Sequence, residues 1–120
     1  MEAKELRIGN YFKFGELIHT CKPCDILNIY QSEIAKTSCD EYNPIELTPE
    51  ILEKCGFIKI KSNYELAECF DYMLQPIIID MANNSIKING VYQNVVVPEY
   101  LHQLQNLYFD LTGKELEINL

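Results

Sequence analysis

The chain has 120 residues, 48% of them hydrophobic and 23% charged, with a net charge of −8. That length and apolar content suffice for one domain with its own core, and they exclude a disordered chain. No apolar run approaches the ~18 residues of a membrane span, and the opening Met-Glu-Ala-Lys-Glu-Leu-Arg has no signal-peptide core, so the expected location is a cytoplasm.

The charge is uneven. Residues 1–61 carry ten acidic and eight basic side chains, whereas residues 62–120 carry eight acidic and two basic. Such a surface repels phosphates, so direct nucleic-acid binding is not expected. It attracts basic protein surfaces, and it also keeps a protein soluble without any partner.

In chain order, the first third reads as short strands joined by turns. Leu6 and Ile8 alternate with polar residues before the turn Gly9-Asn10. Tyr11, Phe12 and Phe14 follow, then Leu17-Ile18, then Ile26 to Tyr30, with Glu33 to Lys36 as a further short strand. Thr48-Pro49-Glu50 opens a short helix at about 48–55: Thr48 suits the N-cap, Pro49 the first turn and Gly56 the stop. Phe57, Ile58 and Ile60 lead into a turn at Ser62-Asn63. Tyr64, Leu66 and Phe70 fit both strand and helix spacing. Ile77-Ile78-Ile79 is a β-branched strand, Asn83-Asn84 a turn and Ser85 to Ile88 a returning strand. Asn89-Gly90 then closes a hairpin whose second arm runs from Val91 to Val97.

Pro98 opens a longer helix at about 98–112 that stops at Gly113. Leu101, Leu104, Leu107, Tyr108 and Leu111 make its apolar stripe, with His102, Gln105, Asn106 and Asp110 mostly off it. The tail Glu115 to Ile118 alternates like an edge strand. The expected fold is α+β: one domain, 1–120, with a small antiparallel sheet or partly open barrel and these two helices.

Few residues point to chemistry. His19-Thr20-Cys21-Lys22-Pro23-Cys24 is the one conspicuous motif. Cys21 and Cys24 could supply half a tetrahedral zinc site completed by His19 and Cys39, but no second closely spaced ligand pair exists. A Cys-x-x-Cys redox pair needs a helix behind it, and the residues after Cys24 read as β. The preferred reading is a turn at Pro23. Cys55 and Cys69 lie among apolar neighbours and read as core. No phosphate loop, nucleophile elbow or metal-binding His pair occurs in the sequence, so no catalytic, cofactor or metal residue is assigned and the chain is read as a non-enzyme.

Three segments resemble a family of small proteins of unassigned activity from phages and prophages of Bacteroidetes-type bacteria. They are Glu5-Leu6-Arg7-Ile8-Gly9-Asn10, the middle segment Pro44 to Thr48 with Cys55-Gly56-Phe57, and His102 to Leu116. Cys21 to Cys24 is not part of that pattern. The resemblance implies a bacterial host cell and an accessory protein that binds a host protein with a basic surface. The sharper form is an anti-CRISPR protein, an inhibitor of a CRISPR effector or similar nucleic-acid-guided nuclease. The expected contacts are Glu65, Glu68, Asp71 and Asp80, with the aromatic neighbours Tyr64 and Tyr72. The rival expectation is a phage structural or assembly module acting as a homo-oligomer.

Overall fold

In a computed structural model the chain forms two antiparallel sheets and three α-helices. The structure describes residues 1–37, 41–61, 70–80, 84–93 and 97–119. The Ser62-Asn63 turn, Tyr64 to Leu66, Cys39 and Cys69 lie outside them.

After a 3-10 turn at Ala3–Glu5, β1 (Tyr11–Phe14) pairs with β2 (Leu17–Thr20) and with β3 (Tyr42–Asn43), giving the order β2-β1-β3. Between β2 and β3 runs α1 (Pro23–Ala35). The second sheet is a meander in the order β4-β5-β6-β7-β8: Ile58–Lys61, Phe70–Leu74, Ile77–Asp80, Ser85–Ile88 and Val91–Tyr92. Two helices lie with it, α2 (Pro49–Lys54) and α3 (Leu101–Thr112). The molecule is elongated, with extents of 51 × 27 × 27 Å.

The α+β class stands, and the sheets do not close into a barrel. Both expected helices form, but Pro98 does not open the longer one: it starts at Leu101, because Tyr100 is extended and bridges to Glu46. The Thr48 hydroxyl accepts from Ile51 N at 3.3 Å, filling one of the amides the first turn leaves open. At the other end of the chain, Gly113 takes φ 71° and stops α3. Asn89 and Gly90 both have positive φ, as a two-residue hairpin turn between Ile88 and Val91 requires.

The segment after Cys24 overturns its reading. Ile26 to Tyr30 and Glu33 to Lys36 are not strands; they form α1 and its C-cap. Pro23 sits in the first turn, and the Asp25 carboxylate accepts from Lys22 N at 2.9 Å, so the start is well capped. The end is marked by Lys36 in the left-handed region rather than by a glycine. The tail is also not a strand. Leu116 is buried against the core, and Asn119 N donates to Lys54 O.

Each sheet has its own core. Leu52, Tyr72, Ile77, Ile79, Ile86, Leu101 and Leu104 form the larger one, where α2 and α3 cover one face of the meander. Ala3, Leu6, Phe12, Cys21 and Ile29 form the smaller one, where α1 covers β1. The two lobes meet along α3, whose stripes face in different directions. Leu101 and Leu104 point into the larger core, whereas His102, Gln105 and Asn106 meet the N-terminal segment.

Candidate functional site

The seam between the lobes holds the densest polar network among the described residues. Gln105 is 1% exposed; its amide donates to Gly9 O and accepts from Tyr11 N at 2.8 Å. The Asn106 side chain donates to Glu5 O and accepts from both Arg7 Nε and Asn10 Nδ2. Arg7 reaches further, forking onto the Glu115 carboxylate at 2.7 and 3.3 Å and lying 4.2 Å from the Phe109 ring centroid. These contacts dock the N-terminal segment Glu5 to Tyr11 onto α3, with the buried amides satisfied by one another.

His102 belongs to the same seam but not to its hydrogen bonds. It is fully buried, and neither ring nitrogen has a hydrogen-bond partner among the described residues. Glu5 Oε2 stands 3.5 Å from Nε2, and the Tyr100 ring stacks at 6.0 Å. Burial pulls the His102 pKa below its ordinary value; Glu5 opposes this, and the N-terminal amine reinforces it. The result is a neutral imidazole at neutral pH, wedged between an acidic side chain and an aromatic ring.

Of the expected contacts, Tyr64, Glu65 and Glu68 lie outside the described residues. Tyr72 is 5% exposed and belongs to the larger core, and Asp80 is 8% exposed. Neither presents the open side chain that a docking contact needs. For Tyr72 the reason is strand alternation: it pairs with Ile79 on the face covered by α2 and α3. Asp71 and Asp80 sit directly opposite each other on the reverse face. Burial raises the Asp71 pKa, Asp80 adds to the rise and Lys87 lowers it. Among the described residues, the exposed acid of the C-terminal lobe is at Glu46, Glu50, Glu53, Glu99, Asp110, Glu115 and Glu117. Glu53, Glu115 and Glu117, with Lys54 and Lys114, line a shallow cleft of about 670 Å³.

The Cys-x-x-Cys segment is placed at a helix start, so the absence of a helix no longer counts against a redox pair. Its electrostatics are unfavourable instead. Cys21 is 1% exposed, and burial pushes its thiol up to about 11, with Asp25 and Cys24 adding to the rise. A reactive first thiol needs the opposite shift. Cys24 is exposed, while Cys55 is buried and likewise pushed up to about 11. His19 lies over the small sheet, its ring 6.2 Å from Phe12 and 5.7 Å from Phe14. Among the described residues, no group of three or more His, Cys, Asp or Glu side chains converges as metal ligands would.

The N-terminal lobe leaves much apolar surface outside. Leu27, Tyr30 and Ile34 are 52%, 53% and 65% exposed, and their three- and four-residue spacing puts them on one stripe of α1. The helix docks through its other side, where Ile29 is buried and Ile26 half-buried. Leu17 and Ile18 on β2 are exposed as well. The two acidic side chains of α1 bond within the lobe, although Glu33 stays exposed. Asp25 accepts from Lys22 N and from the Tyr42 hydroxyl, and Glu33 accepts from Ala3 N at 2.7 Å. Leu27, Tyr30 and Ile34 themselves carry no charge, on a chain of net −8, and Glu33 borders them. The strand-like pattern of Ile26 to Tyr30 hides this surface in the sequence.

No protein-family model, curated protein or solved structure matches the chain. Among the described residues, no helix is long and apolar enough to cross a membrane.

Proposed function

We propose that the chain is a non-enzymatic protein-binding module. The observation that carries this reading is the outward stripe of α1, where Leu27, Tyr30 and Ile34 stand in solvent although the helix already has a docked face. A helix that is apolar on two sides is suited to contact on two sides, and a contiguous exposed apolar patch marks an interaction surface.

The setting implied by the resemblance makes the partner a host protein, and the sharper form is an inhibitor of a CRISPR effector or similar guided nuclease. The charge supports a basic partner. The contacts originally expected at Tyr72 and Asp80 give way in this reading to open carboxylates such as Glu53 and Glu117. The homo-oligomeric assembly module is the second reading, and one observation favours it: the stripe bears no charge with which to select a basic partner.

Affinity capture from a host lysate tests the proposal, using the wild-type chain, Leu27→Glu/Ile34→Glu and Glu53→Lys/Glu117→Lys. The expected result is a basic host protein retained by the wild type, weakened by the charge reversal and by added salt. Specific turnover of a small molecule by the purified chain, with no protein partner recovered and no self-association, would overturn the binding-module reading.

A further inference from the structure

We propose that the outward stripe of α1 is the contact of a two-fold dimer of this chain, an inference that rests on reading that stripe as a contact surface. A two-fold interface needs a patch that is complementary to itself. Leu27, Tyr30 and Ile34 meet that need. When two copies of α1 cross antiparallel about an axis near Tyr30, Ile34 of one copy lies on Leu27 of the other. The same contact repeats across the axis, and the two Tyr30 rings flank it. On one side the exposed neighbours Cys24, Asn28 and Gln31 are neutral; on the other the exposed Glu33 borders the stripe, bonded to Ala3 N.

Charge selects the occupant. Two copies of net charge −8 repel over most of their surface. They can approach through the uncharged side chains of Leu27, Tyr30 and Ile34; Asp25 bonds to Lys22 N and Tyr42, and Glu33, exposed at the edge of the stripe, bonds to Ala3 N. A basic partner gains nothing at those three side chains and is better served by the exposed acid of the other lobe. The dimer would thus leave both acidic surfaces free and present them twice.

Size sets the strength. Three large side chains per copy, about half to two-thirds exposed, fall well short of the ~800 Å² per partner of a standard stable interface. The dimer is therefore concentration-dependent. Its salt response is also fixed in sign. Screening relieves the repulsion between two acidic copies, so self-association strengthens as salt shortens the Debye length from ~30 Å at 0.01 M to ~8 Å at 0.15 M. Attraction to a basic partner has the opposite dependence.

Sedimentation velocity of the full chain tests this, from on the order of 1 µM to 1 mM protein at low and moderate salt. The variants are Leu27→Glu/Ile34→Glu, Tyr30→Glu and, as a control on the other lobe, Val91→Glu, a site 61% exposed. Expected are a monomer–dimer equilibrium for the wild type and Val91→Glu, tighter at higher salt, and monomers for both α1 variants with unchanged circular dichroism. A wild type that stays monomeric throughout, or a dimer that both α1 variants retain, overturns the proposal. A monomeric wild type that captures a host protein through Leu27 and Ile34 also rejects the second copy, while leaving the stripe a contact surface.

Discussion

The C-terminal lobe turns Leu52, Ile77, Ile79, Ile86, Leu101 and Leu104 inward, and a helix layer covers one face of its meander. Among its described residues, the N-terminal lobe buries the apolar side chains Ala3, Leu6, Phe12, Cys21 and Ile29, and leaves Leu17, Leu27, Tyr30 and Ile34 in solvent. The difference follows from size. A segment of about 40 residues cannot enclose much apolar surface by itself. It is held instead by hydrogen bonds, through Arg7, Asn10, Gln105 and Asn106, to a helix that belongs to the other core. One lobe thus supplies most of the hydrophobic stability, and the other can carry unpaired apolar side chains at its surface.

The contrast can be broken most forcefully in the larger core. Leu104→Ala should destabilise by on the order of 2–5 kcal/mol, because Leu104 is fully buried. Chemical denaturation measures this, and a loss under ~0.5 kcal/mol would mean that α3 is not the element on which both lobes are built. At the seam, Gln105→Ala leaves Tyr11 N and Gly9 O without their partner. The expected loss is about 1–3 kcal/mol, with hydrogen exchange rising first in β1 and β2. Uniform exchange across both lobes would show instead that they unfold as one unit.

The seam also has a pH dependence of definite sign. In the folded chain the His102 pKa lies below its ordinary value of 6.5 because the imidazole is buried. The unfolded chain therefore takes up the proton first as pH falls, and stability declines below about 6.5 until the folded pKa is passed. His102→Gln should flatten this decline, as measured by denaturation midpoints between pH 7.5 and 5.5. A wild-type midpoint that rises over that interval would mean that the Glu5 contact at 3.5 Å outweighs burial. The smallest effect belongs to the outward stripe: Leu27→Gln should shift stability by less than ~0.5 kcal/mol, since that side chain is 52% exposed. A larger loss in dilute monomer would place Leu27 in the fold rather than at a contact.

The residues that proved readable in sequence are those with one strong local signal. Thr48-Pro49 and Gly113 mark helix ends through capping, and Asn89-Gly90 forces a hairpin through positive φ. The stretch from Ile26 to Ile34 has no such signal. Apolar residues on two sides of a helix blur the 3.6-residue period, Ile and Tyr favour strands, and Lys36 ends the helix without a glycine. For the polar stripe of α3 the difficulty was different. His102, Gln105 and Asn106 look like a solvent face until a second lobe supplies Gly9, Asn10 and Tyr11 as partners. Tyr72 reads as a contact from local charge and aromatic content, which does not reveal that its side of the strand is covered.

Hydrogen exchange of the associated protein tests most directly whether contact lies on the N-terminal lobe. Exchange would be compared between dilute and concentrated chain, and with and without any captured partner. The account predicts that self-association slows exchange in residues 23–35, with the meander unchanged. Protection confined to β4–β8, with residues 23–35 exchanging at the same rate in every state, would contradict it.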